Sequence, residues 1–289
     1  INSLQYKIYI VYLYRLILLF NLLNLLFMKK FIFLFQSILV VTLLCFTACS
    51  NEEVVPQEGE VKPEPQEFLN ITYKGNVFQN VPIAYDENGD FIFLDEEFSQ
   101  IYSQELKDNT ELSIFVKDSS SIILYENLQT AFDSEGITLI KEIPTTRIES
   151  NGDMTRAGYD DLATVVLYDD RDFKDRNLTF ALTESEKSVE VTNLKDVNGF
   201  NDKCSSLVLT NNLPNDPNQT LKLGSFEYPC TNIDAVFIGY DDHGFSDRTI
   251  TCIAAAAEVK RYSSLPGFND KMSSFKFFFA QKGQYQPSF

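Results

Sequence analysis

The chain has 289 residues, with 41 acidic against 24 basic side chains and a net charge of −17. An acidic balance of that size excludes nucleic acid as a natural partner and attracts cations diffusely even where no specific site exists. Trp is absent and the single His is His243, which leaves little for imidazole-based catalysis.

Residues 1–27 contain no Met and no acid and are expected to be an upstream extension outside the mature protein. Met28-Lys29-Lys30, the apolar run Phe31 to Phe46 and Thr47-Ala48-Cys49 supply a basic start, a hydrophobic stretch and a small-residue cleavage site, so 28–48 reads as a signal peptide. Ala48-Cys49 resembles the lipobox of bacterial lipoproteins, which implies a lipidated Cys49 and a membrane anchor. An uncleaved anchor spanning Phe31 to Ala48 is the alternative. Ser50-Asn51-Glu52-Glu53 resembles the acidic export signal of surface-displayed lipoproteins in some Gram-negative bacteria, implying the outer membrane and the cell surface. Residues 49–66 are rich in Pro and Glu and are expected to be a solvated tether. Without residues 1–48 the chain has 20 basic against 41 acidic residues, a net of −21.

From 67 to 142 the pattern is short and alternating, and it predicts a small α+β domain. Strands are expected at Asn70 to Lys74, Val81 to Tyr85 and Phe91 to Leu94, the last two joined by a turn at Asn88-Gly89. An amphipathic helix is expected from Glu96 to Leu106, then a hairpin of Leu112 to Val116 with Ser121 to Tyr125, then a helical piece at Leu128 to Phe132. Asp86 to Asp90 lacks the spacing of an EF-hand and reads as a turn. Residues 143–158 lack apolar periodicity and read as a linker.

The remainder, 159–289, repeats itself. GFNDKCSS at Gly199 to Ser206 returns as GFNDKMSS at Gly267 to Ser274, and YDDRDF at Tyr168 to Phe173 returns as YDDHGF at Tyr240 to Phe245. A unit of roughly 70 residues is therefore duplicated, with repeats at about 159–210 and 233–281. Each copy predicts four short strands in a Greek-key sandwich, making the protein mainly β. Each also joins an acidic turn to a loop of carboxylate, carboxamide and hydroxyl oxygens, a donor set suited to Ca²⁺.

This unit resembles a βγ-crystallin Greek-key motif: an aromatic, four residues and a Phe, then the loop N/D-N/D-x-x-S/T-S, which matches in full twice. The resemblance covers about Tyr159 to Gln281. It departs where the family has Gly, since Asp175 and Asp247 stand there, and in the lack of a core Trp. It implies calcium sites shared between the repeats. Their ligands would be the side chains of Asp202 and Ser205 with the Lys203 carbonyl, those of Asp270 and Ser273 with the Lys271 carbonyl, and backbone oxygens of Arg171 and His243. Asn201, Ser206, Asn269 and Ser274 would brace the loops. The plainer alternative is that these side chains only stabilise turns.

Of the five cysteines, Cys45 belongs to the signal peptide and Cys49 to the lipid anchor, leaving Cys204, Cys230 and Cys252. Cys204 aligns with core-facing Met272, so the expected bridge is Cys230 to Cys252. No Ser/His/Asp order, HExxH or CxxC occurs, and a non-enzymatic protein is expected. Two functions remain open: a calcium-stabilised surface module, or a binder of an extracellular protein or glycan, such as a protease inhibitor, without specific calcium sites.

Overall fold

The computed structural model describes residues 63–140, 143–148 and 160–283. The extension, the signal peptide, Cys49 and most of the tether lie outside them. β1 (Glu67–Tyr73) and β2 (Asn76–Tyr85) pair across Lys74-Gly75, whose φ values of 48° and 79° give the left-handed pair of a tight hairpin. β3 (Phe91–Phe93) returns along β2 after a turn in which the Asp86 carboxylate accepts from the amides of Asn88 and Asp90. α1 (Glu96–Ile101) starts at Asp95, whose Oδ1 accepts from the Phe98 amide, and runs into a π-helical turn, Tyr102–Leu106. β4 (Ser113–Asp118) and β5 (Ser121–Tyr125) form a hairpin, and α2 (Leu128–Glu135) stops at left-handed Gly136. Two short strands follow, β6 (Ile137–Thr138) and β7 (Thr146–Ile148).

The first repeat contains β8 (Ala163–Asp170), β9 (Lys174–Leu182), β10 (Ser188–Val191) and β11 (Ser206–Asn211). A separate hairpin, β12 (Thr220–Leu223) with β13 (Phe226–Pro229), leads to the second repeat of β14 (Ile233–Asp242), β15 (Ser246–Ala254), β16 (Val259–Tyr262) and β17 (Ser274–Lys282). In each repeat the first strand is flanked by the second and the fourth, and the third crosses over. β10 pairs with β17, and β16 pairs with β11, so each key lends a strand to the other's sheet. The protein is mainly β, and this half is a double Greek-key sandwich.

One sheet runs β16-β11-β8-β9; the larger runs β3-β2-β1-β5-β4-β15-β14-β17-β10-β7, with β6 also on β17. Phenylalanines fill the volume between them, with Phe275 4.7 Å from Phe180 and 5.2 Å from Phe237 between ring centroids. Such contacts add about 0.5–1.5 kcal/mol each beyond area burial.

The structure differs from the expected separation of 67–142 from the repeats. β4 lies parallel to β15 and continues its sheet, and side chains of β1–β5 share the core cluster of the Greek keys. The open edge of β15 exposes a row of unpaired amides and carbonyls, and β4 satisfies them. The expected linker likewise contains β7, paired with β10. The expected bridge between Cys230 and Cys252 is absent: both are free and buried, as is Cys204. Cys252 is fixed inside the sandwich by its place in β15, while Cys230 sits in the turn after β13. Among the described residues no helix is long and apolar enough to cross a membrane.

Candidate functional site

Each repeat bends sharply between its first two strands. The ladder slips between Tyr168 and Asp170 and again between Tyr240 and Asp242, and the turn that follows holds left-handed residues at Asp172, Phe173 and Asp175 or at Gly244, Phe245 and Asp247. A left-handed Phe is strained, by about 1–3 kcal/mol. It is held by an edge-on contact with the leading Tyr, 5.6 Å between centroids for Tyr168–Phe173 and 5.5 Å for Tyr240–Phe245. The last serine of each loop ties the turn down. Ser206 Oγ donates to the Asp170 carbonyl at 2.6 Å and accepts from the Phe173 amide, and Ser274 Oγ does the same with Asp242 and Phe245.

The two GFNDK loops meet across the pseudo-two-fold axis. Ser205 Oγ donates to Asp270 Oδ1 at 2.7 Å, and Ser273 Oγ donates to Asp202 Oδ1 at 3.0 Å. The backbone crosses as well, from the Asp202 amide to the Met272 carbonyl and from the Asp270 amide to the Cys204 carbonyl. Each corner thus joins the serine of one loop to the aspartate of the other, whereas sequence reasoning grouped Asp202 with Ser205 and Asp270 with Ser273. The correction has a backbone cause: both aspartates are left-handed, at φ 51° and 54°, and that conformation carries each carboxylate over to the opposite loop. Both serines are buried and both aspartates exposed, so an oxygen pair from two chain segments faces solvent at each corner. Among the described residues no group of three or more His, Cys, Asp and Glu side chains converges on a metal position, and the serine contacts bring one carboxylate to each corner.

The other expected site residues occupy more varied places. Asn201 Nδ2 donates to Asp202 Oδ2 at 2.6 Å and leaves its buried Oδ1 without a hydrogen bond, while Asn269 Oδ1 accepts from the Leu265 amide. The Arg171 guanidinium lies 5.3 Å from the centre of the Tyr85 ring, and the His243 carbonyl accepts from Ser246 Oγ inside its own turn. Lys203 is exposed. Its counterpart Lys271 is buried and donates to Asp90 Oδ1 at 2.8 Å.

Asp90 is the residue that sequence reasoning missed. Its Oδ1 also accepts from Arg248 Nη1 at 2.7 Å, and Arg248 Nη2 donates to Asp241 at 2.5 Å. Burial alone would raise the Asp90 carboxyl, but the bonds from Lys271 and Arg248 outweigh it and hold the group below the usual carboxylate range. Burial lifts Asp241 despite Arg248. Nothing in the local pattern of Asp86 to Asp90 marks a partner 158 and 181 residues away.

Two further groups are chemically quiet. Burial raises the Cys204 and Cys252 thiols, which keeps them protonated and poorly nucleophilic. Burial pushes Asp234 up to about 6, and its Oδ1 has no hydrogen-bond partner.

No family model and no curated protein matches the sequence. Among solved structures, a beta gamma crystallin from Ciona intestinalis is similar at 19% identity, covering 39% of this chain and 95% of its own length with a TM-score of 0.23. A superposition that loose carries no structural weight, and the double Greek key rests on the strand pairing described above.

Proposed function

We propose that the protein is a non-enzymatic surface lipoprotein, anchored through Cys49, whose double Greek key binds Ca²⁺ at its two shared corners and is stabilised by it. The observation that supports the metal reading is the pair of reciprocal contacts, Ser205 with Asp270 and Ser273 with Asp202. Two oxygens 2.7–3.0 Å apart suit a shared ion, since Ca²⁺ takes oxygen ligands at about 2.3–2.6 Å each. The same contact is kept in both copies of the duplicated unit. The orphaned Asn201 Oδ1 adds an unsatisfied acceptor to the first loop.

One carboxylate per corner, with neutral oxygens and water completing the shell, corresponds to a dissociation constant of about 10⁻⁶ to 10⁻³ M, whose weaker end is the range of extracellular modules. Binding to the folded state alone would add about 2.7 kcal/mol at a hundredfold excess of calcium over that constant. Calcium is therefore expected to raise the melting temperature of the chain, and Ser205→Ala combined with Ser273→Ala to abolish the rise. A melt unmoved by saturating calcium would remove the metal reading. Radiolabelled fatty acid incorporated by the wild type and not by Cys49→Ala would test the anchor separately.

A further inference from the structure

Duplicated loops of nearly identical sequence sit in unlike surroundings. The second loop is gripped from outside its own repeat. Lys271 and Arg248 both donate to Asp90 Oδ1, at 2.8 and 2.7 Å. Next to it, a methyl group added at Gly267 would fall 2.2 Å from the Phe91 ring, and one at Gly89 would fall 3.4 Å from Lys271 Cε and 3.5 Å from the Asn269 carbonyl. The turn that delivers these contacts is itself rigid, because the Asp86 carboxylate binds the amides of Asn88 and Asp90 at 2.8 and 2.9 Å. The first loop has no such grip from outside its repeat: Lys203 is exposed, the space beyond Gly199 is open, and the carbonyls of Asn198 and Gly199 are held by Arg176 of the same repeat.

We infer that the Asp86 to Phe91 turn is a clamp on the second loop which makes the two corners unequal, so that the corner whose carboxylate is Asp270 takes calcium first. This rests on the calcium reading above and assigns the N-terminal meander its part in it. A clamped loop holds Asp270 in the binding conformation before the ion arrives. Asp202 is held by Ser273 and Asn201 alone, with no brace on its loop from the N-terminal meander. If the unclamped loop is competent about a tenth of the time, its corner binds about tenfold more weakly, since apparent affinity falls with the competent fraction. Asp90 also neutralises the Lys271 ammonium, and the test must separate that charge from positioning.

Calorimetric titration of the full chain in detergent with calcium chloride, together with amide hydrogen exchange of the calcium-free chain, makes the test. The wild type should bind in two steps about tenfold apart, with residues 268–274 exchanging more slowly than 200–206. Asp90→Asn and Lys271→Met, each checked for native circular dichroism, should both weaken the first step until the two lie within about twofold, and both should equalise exchange. Lys271→Met removes a cation, so a charge effect would tighten the first step; that outcome overturns the clamp. So do two equal steps in the wild type, or equal exchange of the loops. A flat titration with unequal exchange removes the calcium reading and leaves the clamp standing as a brace, whereas a flat titration with equal exchange removes both.

Discussion

The two Greek keys carry the same ion pair and use it differently. In the first, Arg176 Nε meets Asp169 at 2.6 Å with the arginine side chain 43% exposed, and its other nitrogens reach the Asn198 and Gly199 carbonyls of its own loop. In the second, the equivalent Arg248 and Asp241 are about 20% exposed, and Arg248 turns outward to Asp90 of the N-terminal meander. The pair is tied to its own loop in one copy and is part of a half-buried bridge between chain segments in the other. Sequence duplication fixes the contact, and neighbours decide its energetic weight.

The glycines that open the two loops should break this comparison most visibly. Gly267→Ala forces a left-handed Cβ into the Phe91 ring and is expected to destabilise by about 3 kcal/mol, because strain adds to overpacking. Gly199→Ala meets open space and should lose only about 1 kcal/mol. Urea unfolding of both variants measures the difference, and equal losses would mean the second loop is not pressed from outside. Next in size, Arg248→Ala strands the partly buried Asp90 and Asp241 and is expected to destabilise by about 2–3 kcal/mol, against at most about 1 kcal/mol for Arg176→Ala. The same unfolding measurement applies, and the contrast should survive 0.5 M salt because the second pair is shielded from solvent.

A smaller effect concerns a carboxylate found in one key alone. Asp234 is buried at the start of β14, where the first key has Leu162. Its folded-state value of about 6 lies above the ordinary 3.8, so the folded protein holds the proton more tightly than the unfolded chain. The stability this contributes is complete below pH 3.8 and is lost as pH rises through about 6. Asp234→Asn should therefore stabilise the protein at pH 7.5 by about 1–2 kcal/mol, change little at pH 4, and flatten the melting profile in between. A variant profile parallel to the wild type would refute it.

Much of the fold was legible because its signals are local. Alternation in 70–125 marked β1, the second half of β2, β3, β4 and β5, and Asn88-Gly89 marked the turn between β2 and β3. The repeated phrases located both loops and both bent turns. Strands β10 and β16 were harder, since four residues of mixed polarity carry no period of their own and are held by pairing with the opposite key. β7 was missed for the same reason, as Thr-Arg-Ile becomes a strand only beside β10. Within the site, the sequence named the serines and aspartates but not which meets which, because that depends on left-handed backbone at Asp202 and Asp270. Asp90 was invisible, its partners being set by the merging of β4 with β15.

The exchange of third strands has a consequence for how the chain becomes a protein. Neither key can complete its sheet without the other, and β17, the farthest strand along the described chain, lies inside the sheet between β14 and β10. Hairpins such as β8 with β9 and β14 with β15 are local, but the pairings that complete each sheet are not, so the rate of completing the fold is limited by closing long loops. A half-synthesised chain would hold one key with a gap where its borrowed strand belongs, and the finished fold arrives in a single late event.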